Sequence, residues 1–236
     1  MLHRTALILC SCSLLATGQT APTPAPAPKQ AAPAATGAIL HTTAGDMRCE
    51  LFPDKTPKTV ANFVGLAQGS KDWKDPATGK VVHGRPLYDG VIFHRVIPQF
   101  MIQTGDPSGT GSGDVGFEFE NEPRADLLYD RPGRMGMANR GPNTNSSQFF
   151  ITEVPVPPLN GGYTIFGQCD AAAVELVKKI ATGPCLGGMP CNDGNSRPQT
   201  PVKITHIEIL GARGAARAAP QQSTAKKSAA QAPPQN

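Results

Sequence analysis

The sequence lacks a hydrophobic run long enough to cross a bilayer as a helix, which takes about 20 apolar residues. Its apolar stretch at residues 5–16 is shorter, follows the basic residue Arg4 and precedes a small-x-small site at residues 16–18. This pattern predicts a cleaved signal peptide at residues 1–18, export to the periplasm or cell envelope, and no transmembrane domain in the mature protein. Two alternatives stay open: a lipid anchor on Cys12, which ends a loose lipoprotein-type motif, and an uncleaved membrane anchor.

Both ends of the sequence lack acidic residues. Residues 1–36 and 212–236 carry six basic residues and no acid, whereas the stretch between them has a net charge of −2. The overall charge of +4 therefore comes from the ends, and no nucleic-acid-binding face is predicted. The Pro/Ala-rich residues 19–36 are predicted to form a linker and residues 213–236 a disordered basic tail, because neither composition can bury a core. The folded domain is predicted at residues 37–212.

The sequence also lacks a CxxC pair and any histidine at metal-ligand spacing, which argues against a zinc site. We expect no metal and no cofactor. Four cysteines follow the signal, Cys49, Cys169, Cys185 and Cys191. An even number in an exported chain permits disulfides in three alternative pairings, and four free thiols are the alternative.

Glycine and proline are abundant, at 25 and 24 residues, and they separate short segments rich in apolar and β-branched residues. Two amphipathic helices are predicted, one from the cap Thr56 to Gly69 and one from near Asp170 to Gly183. Many short strand-like segments with two amphipathic helices are typical of a mainly β protein, and we predict a closed eight-stranded antiparallel β-barrel capped by two α-helices. The predicted strands are 38–41, 47–52, 91–97, 100–104, 136–138, 148–152, 164–168 and 202–210.

Three segments carry the candidate chemistry: FHRVIPQFMIQTGD at 93–106, MANRGPNTNSSQFFIT at 137–152 and LNGGYTIFG at 159–167. In the first, Phe93, Arg95 and Ile97 share one side of a strand, which places a guanidinium on an apolar surface. Alone, each segment has an ordinary explanation: a surface ion pair, a loop before a core strand, or a turn before a strand.

Together, in this order and spacing, the segments resemble the cyclophilin family of peptidyl-prolyl cis–trans isomerases, over residues 38–211. The resemblance implies that Arg95 is the catalytic residue. His94 falls on the opposite strand face, and we interpret it as structural. The resemblance also implies ten substrate-binding residues. The walls of a proline-ring pocket are Phe100, Met101, Phe150 and Leu159, and Tyr163 closes it. Gln103 and Gln148 orient Arg95 and the substrate carbonyl, and the Asn139 backbone binds the residue before proline. Ala138 and Gly109 line a neighbouring subsite.

The resemblance implies an isomerase that assists the folding of exported proteins, with proline-containing polypeptides as partners, and we expect a monomer. Two other hypotheses stay open: a non-catalytic proline-peptide-binding chaperone, and an envelope interaction protein that acts through its tails. In the implied barrel the strands of Cys49 and Cys169 are neighbours, and Cys185 and Cys191 flank a short Gly/Pro loop, so the hypothesised disulfides are Cys49–Cys169 and Cys185–Cys191. Many family members have Trp at the position of Pro158 and His at that of Tyr163, so weak cyclosporin binding is expected.

Overall fold

The computed structural model describes residues 35–188, 191–192 and 194–211. The predicted signal peptide, most of the predicted linker and the predicted tail lie outside these residues. The first strand begins at Ala35, slightly before the predicted domain boundary.

An antiparallel sheet of eight strands forms most of the structure, in the order β10-β1-β2-β9-β7-β8-β6-β5. Two α-helices and a short 3₁₀ helix, Pro157–Leu159, accompany it. A short hairpin, β3–β4, was not predicted because its strands have only two residues each. The elements are β1 Ala35–Thr42, β2 Gly45–Leu51, α1 Pro57–Gln68, β3 Trp73–Lys74, β4 Val81–Val82, β5 Arg95–Ile97, β6 Met101–Thr104, β7 Arg134–Met137, β8 Phe149–Thr152, β9 Ile165–Cys169, α2 Ala171–Ala181 and β10 Ile204–Gly211.

The mainly β, two-helix architecture agrees with the prediction, but the barrel differs in how its edges meet. β5 and β10 are the edge strands, and within the described residues no ladder pairs them. Instead, the segment before β5 bonds to the start of β10: Phe93 N–H donates to the Val202 carbonyl at 2.9 Å, and Ile204 N–H donates to the Val91 carbonyl at 2.9 Å. The predicted strand at 91–97 is therefore divided between this contact and β5.

The ends of the two α-helices are fixed by different interactions. α1 has Pro57 in its first turn and ends at Gly69, whose φ of 73° is the left-handed conformation that glycine adopts at no steric cost. α2 begins after Asp170, whose side chain accepts a hydrogen bond from Ala173 N–H at 2.8 Å. Thr56, predicted as the α1 cap, makes no capping bond, and its hydroxyl donates to the Phe52 carbonyl.

The N-terminus of α1 is capped instead by Glu122, which is distant in sequence. One Glu122 carboxylate oxygen accepts from the Lys58 N–H at 3.1 Å, and the other accepts from the Thr59 N–H at 2.8 Å and the Thr59 hydroxyl at 2.7 Å. A negative charge that satisfies free N–H groups also complements the positive end of the helix dipole.

Apolar residues form two separate clusters. The larger cluster fills the space between the sheet and the helices, with Phe63, Phe149 and Phe166 fully buried and in mutual ring contact. The second, smaller cluster includes Met101, Phe150 and Ile165, from strands that also supply the first. Successive strand residues point to opposite faces, so adjacent Phe149 and Phe150 belong to different clusters.

The described residues contain two disulfides, in the pairing hypothesised from the sequence. Cys49 and Cys169 are partners in the β2–β9 ladder, and their sulfurs are bonded at 2.05 Å. Cys185 and Cys191 are bonded at 2.04 Å. Across the described part of the chain, no helix has the length and apolarity needed to span a membrane.

Candidate active site

Strand register brings the candidate residues into one row. Arg95 on β5 is paired with Gln103 on β6, and Gln103 is paired with Phe150 on β8. The neighbouring row, Val96, Ile102 and Ile151, is buried in the larger core cluster. The row containing Arg95 therefore lies on the other face of the sheet, where the smaller apolar cluster is found.

A pocket of about 210 Å³ opens on this face. Nine of the eleven residues predicted for the catalytic and substrate-binding site line it, and they come from β5, β6, β8, the turn between β5 and β6, and the loops after β7 and β8. The lining residues are Arg95, Phe100, Met101, Gln103, Ala138, Asn139, Phe150, Leu159 and Tyr163.

The apolar wall of the pocket is a set of rings in defined contact. Phe150 meets Tyr163 edge to face, with centroids 5.8 Å apart, and stacks on the buried Tyr129, also at 5.8 Å. Such pairs add roughly 0.5–1.5 kcal/mol beyond the burial of their area. The rigid wall can receive a small apolar ring such as the pyrrolidine of proline.

Arg95 is half-buried and lies at the polar edge of this wall. Its Nη1 is 3.4 Å from Gln103 Oε1 and 3.8 Å from Met101 Sδ, and its Cζ is 5.7 Å from the centre of the Phe100 ring. Arginine has five N–H donors and no acceptor. The guanidinium is thus directed along the pocket and can donate to a group bound there.

A chain of amides holds Arg95 in place. Gln103 Nε2 donates to Gln148 Oε1 at 2.9 Å, and Gln148 Nε2 donates to the Gly111 carbonyl at 3.0 Å. Gln103 therefore accepts from Arg95 and donates to Gln148. This arrangement supports the predicted positioning role of both glutamines.

Asn139 has its side chain engaged and its backbone available. The side-chain amide donates to the Gly162 carbonyl at 3.0 Å and accepts from Gly141 N–H at 3.3 Å. Among the described residues, neither the N–H nor the C=O of the Asn139 main chain has a hydrogen-bond partner. The backbone is therefore available for an extended peptide, the role that the resemblance implies for it.

A smaller recess of about 70 Å³ adjoins the pocket and shares Gln103, Ala138 and Asn139 with it. Gln148 lines this recess rather than the main pocket. Gly109, predicted to line a neighbouring subsite, lines neither cavity; a Cβ there would lie 3.0 Å from Ile92 Cδ1, so the residue packs inward. Gly111, from the same loop, takes that place.

The loop 106–113 is organised around the Asp106 carboxylate. It accepts hydrogen bonds from the Ser108 hydroxyl at 2.7 Å, Gly111 N–H at 2.6 Å and Gly113 N–H at 3.1 Å. Burial alone would raise the pKa of Asp106, but these bonds outweigh burial and leave the pKa below its ordinary value. The loop that presents the Gly111 carbonyl to Gln148 is thereby fixed.

His94 lies on the strand face opposite Arg95 and lines neither cavity, which supports its predicted structural role. It is only 6% exposed, and neither ring nitrogen has a hydrogen-bond partner among the described residues. Burial is the main cause that lowers its pKa; Asp106 acts in the opposite direction, and Arg197 and Arg95 lower the pKa further. The ring is therefore neutral near pH 7.

The sequence did not reveal the residues that support the pocket. A Cβ on Gly136 would lie 2.1 Å from the Tyr129 hydroxyl and 2.5 Å from Phe150 Cζ, so only glycine permits this ring packing. Glu153 accepts from Gln99 N–H at 2.9 Å and donates its own N–H to the Phe100 carbonyl at 2.8 Å, which fixes the turn that carries Phe100. Gln99 has a φ of 59°, which is uncommon for a residue other than glycine, and no sequence pattern pointed to this turn.

No metal site accompanies the pocket. Within residues 35–188, 191–192 and 194–211, no three His, Cys, Asp or Glu side chains are grouped so as to hold an ion.

Comparison with known proteins agrees with this geometry. The family described as "Cyclophilin type peptidyl-prolyl cis-trans isomerase/CLD" matches residues 38–209. The chain is 49% identical over 176 residues to peptidyl-prolyl cis-trans isomerase A of Mycobacterium tuberculosis, covering 73% of this chain and 91% of that protein. It is 42% identical over 172 residues to peptidyl-prolyl cis-trans isomerase B of Streptomyces anulatus, covering 73% and 95%.

Solved structures show the same fold. A cyclophilin-type peptidyl-prolyl cis-trans isomerase of Cryptosporidium parvum superposes with a TM-score of 0.59 at 33% identity, covering 76% of this chain and 99% of that one. A second crystal structure of that protein, in the presence of the dipeptide Ala-Pro, gives 0.58 at 34% identity, covering 74% and 99%. With its pocket, its arginine and its relatives in agreement, this chain belongs to the cyclophilin-type peptidyl-prolyl cis–trans isomerases.

Proposed function

We propose that this enzyme accelerates rotation about X-Pro bonds in exported proteins without covalent chemistry, and that Arg95 stabilises the twisted amide. The observation that carries the mechanism is the guanidinium held beside Phe100 and Gln103 at the edge of an apolar pocket. A relative of known structure was crystallised in the presence of Ala-Pro, which fits a pocket for a proline ring.

Amide resonance sets the barrier that the enzyme must lower. The uncatalysed barrier is about 18–20 kcal/mol, and unassisted isomerisation takes roughly 10–100 s. A 10⁵-fold acceleration needs about 7 kcal/mol of stabilisation that acts on the transition state and not on the planar ground state. No bond to carbon is broken, so no nucleophile is required.

Arg95 can supply this differential term. In the planar amide the proline nitrogen shares its lone pair with the carbonyl, and in the twisted amide the lone pair becomes localised. A guanidinium N–H can then donate a hydrogen bond to the nitrogen, and arginine stays protonated at every relevant pH. The hydrogen bond strengthens as the amide twists, as transition-state stabilisation requires.

The rest of the pocket holds the two sides of the bond. Phe100, Phe150 and Leu159 surround the ring, and the free Asn139 backbone holds the preceding residue. Because the ring is held, rotation about the C–N bond turns the carbonyl of the preceding residue, while the main-chain contact at Asn139 keeps the rest of that residue in place. The substrate class is therefore an extended segment containing proline.

The mechanism is tested by measuring cis–trans exchange of an Ala-Pro peptide by NMR with wild type, Arg95→Ala and Arg95→Lys. We expect Arg95→Ala to lower kcat/KM about 10²–10³-fold, the usual loss when one preorganised donor to the transition state is removed. Arg95→Lys keeps the charge but loses the planar fork, so an intermediate loss is expected.

Arg131→Ala is the matched control, because this arginine is 60% exposed, pairs with Asp130 and lines neither cavity. Arg95→Ala with at least half of wild-type kcat/KM would overturn the role of Arg95. Peptide binding by wild type without any acceleration would favour the non-catalytic chaperone instead.

The proposed export is supported by the N-terminal sequence and by the two disulfides, which persist in oxidising compartments. Mass spectrometry of the protein from an envelope fraction tests it. Loss of residues 1–18 is expected; a diacyl mass on Cys12 would indicate the lipid-anchored form.

A further inference from the structure

The recess beside the proline pocket has an unusual charge. Its lining consists of Gln103, Gly111, Ala138, Asn139, Arg140, Thr144, Ser146 and Gln148. Arg140 is the one charged residue in this lining, and no acidic residue belongs to it. A side chain that enters the recess therefore meets amides, hydroxyls and a guanidinium.

The position of Arg140 is fixed by its loop while its guanidinium stays available. Its backbone N–H donates to the Thr144 hydroxyl at 2.8 Å, and that hydroxyl donates to the Gly141 carbonyl at 2.9 Å. The residue is exposed, and in the described part of the chain no carboxylate lies within 4.0 Å of its guanidinium. Among the described residues, no close ion pair neutralises the charge of Arg140.

The acidic group whose charge interacts with Arg140 is Asp114, and it already has a partner. Lys74 Nζ is 3.0 Å from Asp114 Oδ2. The Gly116 N–H and Lys74 are larger causes of the lowered Asp114 pKa than Arg140 is. One carboxylate thus interacts with two cations, so it does not fully neutralise the positive charge of Arg140.

We propose that Arg140 makes this enzyme select proline segments with an aspartate or glutamate two or three residues before the proline. This inference rests on the proposed function, since it assigns the substrate class of the same site. The Asn139 backbone, between the two cavities, holds the residue before proline, so the recess receives a side chain further upstream. At about 70 Å³ it has room for one small carboxylate-bearing group, since a water molecule occupies about 30 Å³.

The expected preference is moderate because Arg140 is exposed. Exposed pairs of opposite charge change binding by about two- to fivefold, and salt reduces the effect. The recess hydroxyls and amides can donate further hydrogen bonds to the carboxylate. The effect should therefore appear in kcat/KM and fall at high ionic strength.

The test compares peptides with Glu, Gln or Lys at either upstream position before Ala-Pro, by NMR exchange at low and high salt. Wild type should favour Glu over Gln about two- to fivefold at one of the two positions, and Lys should be poorest. Arg140→Gln should bring the three rates together, and Arg140→Glu should reverse their order. Lys178→Gln, an equal charge change on the exposed face of α2, should leave the wild-type order intact.

Equal rates for the three peptides with active wild type would overturn the inference while leaving the isomerase function standing. An unchanged Glu preference in Arg140→Gln would also overturn it. No acceleration of any peptide would overturn the proposed function itself, and this inference with it.

Discussion

His94 and Arg95 show how far adjacent residues can differ in environment. The Arg95 side chain lines the pocket, while the His94 ring is buried and lies close to Gly111, where a Cβ would be 3.3 Å from His94 Nε2. The loop 106–113 therefore packs against the neutral imidazole of His94. Protonation would place a charge in a site without a hydrogen-bond partner among the described residues.

We predict that His94 makes stability fall as the pH drops below about 6.5, the ordinary pKa of histidine in the unfolded chain. Since the folded pKa is lowered, the unfolded chain binds the proton first. The stabilising contribution is therefore complete above the unfolded pKa and is lost as pH falls toward the folded pKa. Its slope is at most about 1.4 kcal/mol per pH unit.

Urea unfolding of wild type and His94→Gln between pH 5 and pH 8 measures this contribution. The other histidines are present in both proteins, so the difference in slope isolates His94. The variant should have the shallower dependence. Parallel curves would show that His94 does not resist protonation in the folded state.

At the scale of elements, α1 depends on a residue outside it. Lys58 and Glu122 are 64 positions apart, so the cap couples the helix to the loop that precedes β7. Glu122 N–H in turn donates to the Thr164 hydroxyl at 2.8 Å, next to β9. Three parts of the chain therefore meet at one carboxylate.

We predict that Glu122→Ala lowers the free energy of unfolding by about 1–2 kcal/mol, the usual cost of losing a helix cap. Glu122→Gln should cost less, because an amide oxygen can still accept one N–H. Urea unfolding at pH 7 is the measurement, and Glu118→Ala, an exposed acid in the same loop without an ion pair among the described residues, is the control. Equal stability of Glu122→Ala and Glu118→Ala would contradict the capping role.

At the scale of the whole molecule, the two disulfides constrain very different lengths of chain. Cys49 and Cys169 are 120 residues apart, and Cys185 and Cys191 are six apart. In the loop-entropy relation, closing the longer loop restricts the unfolded chain much more. The first bond should therefore dominate the stability gained from oxidation.

We predict a loss of about 5 kcal/mol for the double variant Cys49→Ala/Cys169→Ala and about 2 kcal/mol for Cys185→Ala/Cys191→Ala. Denaturant unfolding of the oxidised proteins checks the order. Each pair serves as the control for the other. A larger loss for the Cys185/Cys191 variant would contradict the idea that the Cys49–Cys169 bond stabilises the protein by restricting the unfolded chain.

Much of the architecture was predictable because it depends on local patterns and on three motif segments. The predicted strands occur close to their observed positions, and nine predicted site residues share one pocket. The cap at Glu122, the ring packing permitted by Gly136 and the brace from Glu153 depend on long-range register. No spacing along the sequence encodes these three contacts. The packing of Gly109 away from both cavities likewise depends on long-range contacts.

The pairing of Ala35 with Gly211 sets the first residue of β1 beside the last residue of β10, in adjoining strands. The chain therefore enters and leaves the sheet through neighbouring, paired strands. The position of the chain ends is therefore not essential to the strand order. A short peptide could link β10 to β1, and an exposed turn such as residues 75–80 could carry the new chain ends. What such a rearranged chain would have to preserve is the β5–β6–β8 adjacency that aligns Arg95 with Phe150.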